Sequence, residues 1–274
     1  MSRYKLRANY DIENIDSQKM DGTVIVDVPM LSNGELNYGL SHIKKKLYEE
    51  NVYPSEIGFD IMSLATMVYM ADTRIERVVH GQDSWTREIE LEIPVSNVEI
   101  WDSQIRTVER MLKFLTGDLW KITLSSRAWQ FNNLEEVREK SNKYDEVSLF
   151  SGGMDSLIST INLMENKKNT LLISHAGEGL TKNAQKNIVN KFDLLYPDVL
   201  HTWLDLWMVF PRDYIPAGGN DNNTRSRSFL FIGYALFAMT GMDNINELLV
   251  PENGLIALNV PCLLYTSPSP RDTE

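Results

Sequence analysis

Cysteine is nearly missing from this sequence: Cys262 stands alone among 274 residues. One thiol cannot build a disulfide framework, nor a zinc site of several cysteines, within the chain. Long apolar runs are missing too. The densest stretch, Phe229–Met239, falls short of the roughly 18 residues a membrane span needs, and it follows the polar run Thr224–Ser228. The Lys and Arg residues near the N-terminus have no apolar run behind them, so no secretory signal is read. Positive charge is in deficit, with 27 Lys and Arg against 38 Asp and Glu, a net charge of −11. That balance opposes general attraction to nucleic acid or to anionic membrane, but it permits a local basic pocket. Internal repeats and low-complexity linkers are absent. A cytoplasmic protein is the expectation.

What is present suits a folded chain. Hydrophobic residues at 43% and charged residues at 24% are ordinary proportions, and the length suits one or two domains. Residues 1–130 mix two rhythms. Thr23–Val28, Glu88–Val95 and Leu119–Ser125 alternate apolar and polar residues as strands do. Ile61–Ile75 and Ile105–Leu115 carry apolar residues at helical spacing. The expectation is an α+β domain whose sheet is covered on one face. The polar stretch Ser125–Asp145 reads as a helical or irregular connection, with 131–145 dividing the first domain from a second over 146–261.

The second region changes rhythm. Val147–Phe150 is a short apolar strand, and Leu157, Ile158, Ile161 and Met164 form one helical stripe. Thr170–Ser174 and Val199–Leu206 are further strands, flanking a helix marked by Ala184, Ile188, Phe192 and Leu195. Phe229–Met239, apolar nearly all round, suits a buried helix, and Glu247–Val250 a fourth strand. Alternation of strand and helix predicts an α/β domain with a parallel sheet and right-handed crossovers.

Between the first strand and first helix of that region lies Ser-Gly-Gly-Met-Asp-Ser, residues 151–156. A strand, a glycine-rich turn and a helix N-terminus together aim backbone N–H groups and the positive end of the helix dipole at one anion. Gly152 and Gly153 would allow positive φ and close approach to an oxygen. Ser151 and Ser156 add hydroxyls. Asp155 caps the helix, holds the turn or helps coordinate magnesium. A plain capped turn has the same composition, but here it sits inside a continuing β-α-β series.

The motif resembles the SGGxDS loop of the N-type ATP pyrophosphatase, or PP-loop, superfamily. It is not the other phosphate loop, since no GxxxxGK[ST] occurs in the chain. TRSRSFLFIGYALFAMTG and VPENGLIALN resemble segments of 7-cyano-7-deazaguanine synthase (QueC) relatives, in particular the QueC-like component of a bacterial anti-phage defence system. SWTREIELEIPV and FLTGDLW resemble the leader domain of those defence proteins more weakly. The resemblance implies a parallel-sheet PP-loop (adenine nucleotide alpha hydrolase-like) domain. It implies an enzyme that uses ATP with magnesium: the loop holds the pyrophosphate, a substrate oxygen attacks the α-phosphorus, and a nucleophile later displaces AMP. The implied substrate is deazapurine-like or a carboxylate. The implied acceptor is ammonia or a partner protein, the substrate a small molecule or a protein terminus, with other defence proteins as partners and neither a membrane nor general nucleic-acid binding. A tRNA-modifying or amidotransferase enzyme of the superfamily, and a non-catalytic ATP-sensing subunit, are the competing readings.

Supporting residues follow. Arg225 and Arg227 stand at the start of the buried helix, where two guanidinium groups suit leaving pyrophosphate; a solvated helix start capped by Thr224 has the same sequence. Glu252 and Asn253, with Gly254, follow the fourth strand at the edge where open parallel sheets bind ligands. Glu252 could hold magnesium or an amine and Asn253 a base or ribose, though Pro-Glu-Asn-Gly is also an ordinary tight turn. His175 ends the second strand, for an adenine or ribose contact or a structural hydrogen bond, and Asp205 has a similar place on the third. Trp101, Trp120, Trp129, Trp203 and Trp207 are expected to fill core or domain contacts.

QueC enzymes carry four zinc-binding cysteines near the C-terminus, and this chain has only Cys262. After Pro261 it reads CLLYTSPSPRDTE, whose first eleven residues resemble translated read-through of a sequencing-library adapter. The expectation is that 262–274 are foreign, that the natural protein continues past Pro261, and that the second domain is incomplete, with an unpaired sheet edge. A short genuine polar tail is the other reading.

Overall fold

Strict alternation builds the first sheet. The computed structural model describes residues 3–131, 140–175, 179–221 and 225–252. Its elements begin with β1 (Arg3–Asn9), β2 (Asp16–Met20), β3 (Thr23–Pro29), β4 (Leu31–Ser32), β5 (Glu35–Leu36), α1 (Leu40–Glu49), α2 (Glu56–Arg74) and α3 (Arg77–His80). They continue with β6 (Glu88–Val95), α4 (Val98–Asp102), α5 (Ile105–Thr116) and β7 (Leu119–Ser126). The sheet runs β2-β3-β1-β6-β7, and every pairing but β2 with β3 is parallel. Tyr4, Leu6 and Ala8 of β1 and Ile89, Leu91, Ile93 and Val95 of β6 all point into the core. The opposite face is a charge ladder, with Lys5 Nζ 2.9 Å from Glu92 and 3.4 Å from Glu90. One covered face is therefore what the alternation indicated. The predominantly parallel pairing is not, because alternation records burial and carries no strand direction.

The second half comprises β8 (Glu146–Leu149), α6 (Met154–Glu165), β9 (Thr170–His175), α7 (Gly179–Leu195), β10 (His201–Leu206), α8 (Arg227–Met239) and β11 (Leu248–Leu249). Its sheet is parallel throughout, in the order β10-β9-β8-β11. β8 and β9 are buried along almost their whole length, as continuous apolar runs with both faces covered should be. α6 and α7 cover one face, where Phe150, Leu172 and Phe192 cluster with Leu157, Ile161 and Ile188. α8 covers the other. The chain is α/β with a mostly parallel central sheet.

Between the two sheets lies α2, capped by Ser55, whose side chain accepts from Gly58 N. Fourteen of its nineteen residues are buried. It packs against α8 with the backbones close: a Cβ on Gly233 would stand 2.8 Å from the Ala65 Cβ. One apolar core runs without a break from Tyr4 and Leu6 through α2 to Val147, Ile173 and Tyr234. The polar connection read at 131–145 thus divides the sequence but does not divide the core. Its described parts, residue 131 and 140–145, are irregular, and 132–139 lies outside the described residues. The tail 262–274 lies outside them as well.

Trp101, Trp120, Trp129 and Trp203 fill contacts as expected, whereas Trp207 is exposed. Trp129 stacks on Tyr10, Trp101 Nε1 donates to Asp60, and Trp120 Nε1 donates to Thr116. Among the described residues no helix is long and apolar enough to cross a membrane.

Candidate functional site

The second sheet places its first and fourth strands, β8 and β11, side by side, with β9 and β10 beyond β8. The chain winds one way from β8 to β10 and the other way to β11. The topological switch point therefore falls at the carboxyl ends of β8 and β11, the place where open parallel sheets hold ligands. Residues 151–156 begin one residue after β8, and Glu252 follows β11 and is exposed. Asn253 lies outside the described residues.

Gly152 takes φ +81, a left-handed conformation that favours glycine. The expectation of positive φ at Gly153 is corrected: its φ is −85, and it is the N-cap of α6. The loop is laced by hydroxyls. Gly152 N donates to Ser156 Oγ at 3.1 Å, Ser156 Oγ donates to Gly153 O at 2.9 Å, and Gly153 N donates to Ser151 Oγ at 3.3 Å. The first two glycine N–H groups are thus turned inward. Those of Met154, Asp155 and Ser156, in the first turn of α6, have no acceptor among the described residues. They form a helix start without a side-chain cap. Asp155 does not cap the helix. Its carboxylate, at the second position of α6, is exposed and bonded to no described residue.

Behind the loop stands a residue that the sequence reading missed. Gln185 of α7 is buried and donates Nε2 to Ser151 O at 3.0 Å and to Phe150 O at 3.4 Å. Its Oε1 is buried with no partner. A polar residue beside Ala184, three before Ile188, sits inside the apolar stripe of α7, and that was the available signal. The same Phe150 carbonyl accepts from Ser174 Oγ, which in turn accepts from Trp203 Nε1.

His175 ends β9 at this edge. Its ring stacks on Tyr234 (6.0 Å, 15°) and meets the edge of Tyr69 of α2 (6.2 Å, 75°). Both ring nitrogens are buried and bonded to no described residue, as are Tyr234 Oη and Ser226 Oγ, so the structural hydrogen bond is not made among the described residues. Burial, and then the nearby Arg227 charge, lower its pKa to about 4. The imidazole is neutral at neutral pH.

The two arginines part company. Arg227, half-buried on the first turn of α8, makes no hydrogen bond or ion pair with any described residue, and its charge is felt by His175 and Tyr69. Arg225 belongs to the first sheet instead. Its Nη1 donates to Thr116 O at 2.9 Å, and its guanidinium lies 4.5 Å from the centre of the Trp85 ring. One step before the N-cap Ser226, the backbone has not yet entered the helix, so alternate side chains diverge. Asp205 is taken up by two lysines, Lys46 of α1 and Lys182 of α7. Burial pushes its carboxyl up, but the lysines outweigh that and hold it below the usual range.

No three His, Cys, Asp or Glu side chains gather as a metal site among the described residues. A cleft of about 320 Å³ lies elsewhere, at the amino-terminal ends of β1, β3, β6 and β7, lined by Tyr4, Trp120 and the paired charges Arg3 and Glu88. The edge beside β8 therefore brings together the loop, His175, Arg227 and Glu252, and leaves Arg225 and Asp205 to structural pairings. No protein-family model, curated protein or solved structure matches the chain.

Proposed function

We propose that the chain binds ATP at residues 151–156 and transfers AMP from it to a substrate oxygen, releasing pyrophosphate. One observation carries the reading: the glycine-rich loop follows β8 where β8 and β11 lie side by side and the chain connections run opposite ways, at the switch point of a parallel sheet. The free N–H groups of Met154, Asp155 and Ser156 donate to pyrophosphate oxygens. The hydroxyls of Ser151 and Ser156 exchange their mutual bond, now 3.2 Å long, for bonds to phosphate. Arg227 neutralises the charge that builds on pyrophosphate as the bond from the α-phosphorus breaks. His175, uncharged, gives or accepts a hydrogen bond to the base or ribose. Asp155 and Glu252 are the exposed carboxylates that would hold magnesium, which shields phosphate charge when bound. By its resemblance to QueC relatives, the substrate is deazapurine-like or a carboxylate, and the setting is anti-phage defence.

Product analysis tests this. ATP labelled at the γ-phosphate, incubated with the protein, magnesium and candidate carboxylates, should yield labelled pyrophosphate and unlabelled AMP. Labelled inorganic phosphate with ADP would assign a different reaction, and binding without turnover would assign an ATP-sensing role.

A further inference from the structure

Helix α8 lacks a cap of its own. Ser226 occupies its N-cap position, yet the side chain makes no cap bond, and its Oγ is buried without a partner. The backbone N–H of Ser226 is satisfied from far away in sequence, by Asp72 Oδ2 of α2 at 3.0 Å. Asp72 is fully buried and is itself held. Its Oδ1 accepts from Arg87 Nη2 at 2.5 Å, and its main-chain oxygen accepts from Arg87 Nη1 at 3.0 Å. Arg87 is in turn bound to Asp118 through Nε and Nη2, and Arg77 grips the same Asp118 with both terminal nitrogens, at 2.7 and 2.9 Å. Asp118 stays ionised: burial would raise its pKa, but the two arginines hold it below the usual carboxylate range. Four buried charges from α2, α3 and the ends of β6 and β7 thus form a fixed block whose one arm reaches the start of α8.

That arm ends one residue before Arg227. We infer that Asp72 is a positioning residue for Arg227: by clamping the Ser226 N–H, the first sheet sets where the α8 start lies and keeps the Arg227 guanidinium beside His175 and free of partners among the described residues. The role rests on the reading of Arg227 as a pyrophosphate ligand. A residue acting only through another gives a non-additive pair in a double-mutant cycle.

Inorganic pyrophosphate, titrated calorimetrically into the full chain, is the probe. Binding should weaken at least tenfold in Asp72→Asn and in Arg227→Ala, and the double variant should bind no more weakly than Arg227→Ala alone. Asp118→Asn removes the same charge from the block without touching Ser226. It should lower the melting temperature and leave pyrophosphate affinity within about twofold. Should Asp72→Asn not fold, Ser226→Pro removes the donated N–H together with the unpartnered Oγ, at a φ of −82 near the range proline adopts, and should give the same tenfold loss. Unchanged affinity in a folded Asp72→Asn or Ser226→Pro protein, an additive double variant, or an equal loss in Asp118→Asn would each overturn the positioning role. Absence of binding by the unaltered protein would overturn the reading of Arg227 itself.

Discussion

Gln185 occupies the space that a side chain at Gly152 would need: a Cβ there would stand 2.7 Å from the Gln185 Cγ. Gly152 also has φ +81, whereas the neighbouring Gly153 has φ −85, and its nearest neighbour to a Cβ is Ser151 Oγ at 3.5 Å. The two glycines therefore fail differently. Gly152→Ala should cost about 2 kcal/mol or more, from left-handed strain plus loss of the Gln185 bonds, read as a fall in stability to urea. Gly153→Ala should fold with nearly unchanged stability. Any loss of ATP use in that variant, or in Gly153→Val, then reports approach of phosphate to the loop.

The two arginines should separate stability from activity. Arg227→Ala is expected to lower ATP-dependent AMP formation at least tenfold, about 1.4 kcal/mol, with the melting temperature unchanged. Arg225→Ala should instead destabilise by about 1–2 kcal/mol, through loss of the Thr116 bond and the Trp85 stack. Equal kinetic losses with no thermal effect would return both to the phosphate.

Histidine 175 gives the fold a pH dependence of known sign. Its pKa falls from 6.5 to about 4 on folding, through burial first and Arg227 second. The unfolded chain then binds the proton more readily between those values, so stability rises with pH across the window and is level above it. Acidification from pH 6.5 to 4 should remove up to roughly 3 kcal/mol. His175→Phe should flatten that part of the urea stability curve. A slope unaltered in the variant would place its source elsewhere.

Asp155 is exposed and joined to no described residue, so Asp155→Asn should change stability by no more than about 0.5 kcal/mol. AMP formation at limiting magnesium should nevertheless fall at least tenfold and recover in part as magnesium is raised. A large change in melting temperature would mean that the carboxylate holds the turn.

Much of the fold was legible because burial leaves a period. β6 runs Glu88–Val95 as its alternation indicated, and the apolar run of α8 marked a helix packed on both sides. The site loop was legible because strand, glycine turn and helix are adjacent in the chain. What escaped depends on residues distant in sequence. β1, the middle strand of the first sheet, alternates Tyr4, Leu6 and Ala8 with Lys5 and Arg7, but lies among charged residues that pair only across strands. Arg225 and Arg227 look equivalent two positions apart, and only the folded path sends one to Trp85 and leaves the other beside His175. Asp72, 154 residues before Ser226, leaves no local trace of its role.

Exchange of labelled pyrophosphate into ATP tests the central claim most directly, since it requires pyrophosphate to leave and return at one site. With magnesium and a 7-carboxy-7-deazaguanine-like compound, the unaltered protein should exchange label into ATP, Gly153→Val and Arg227→Ala should not, and omission of the acid should abolish the exchange. Failure of the folded protein to exchange with that acid, with other carboxylates or with tRNA would contradict the assignment of residues 151–156 to AMP transfer.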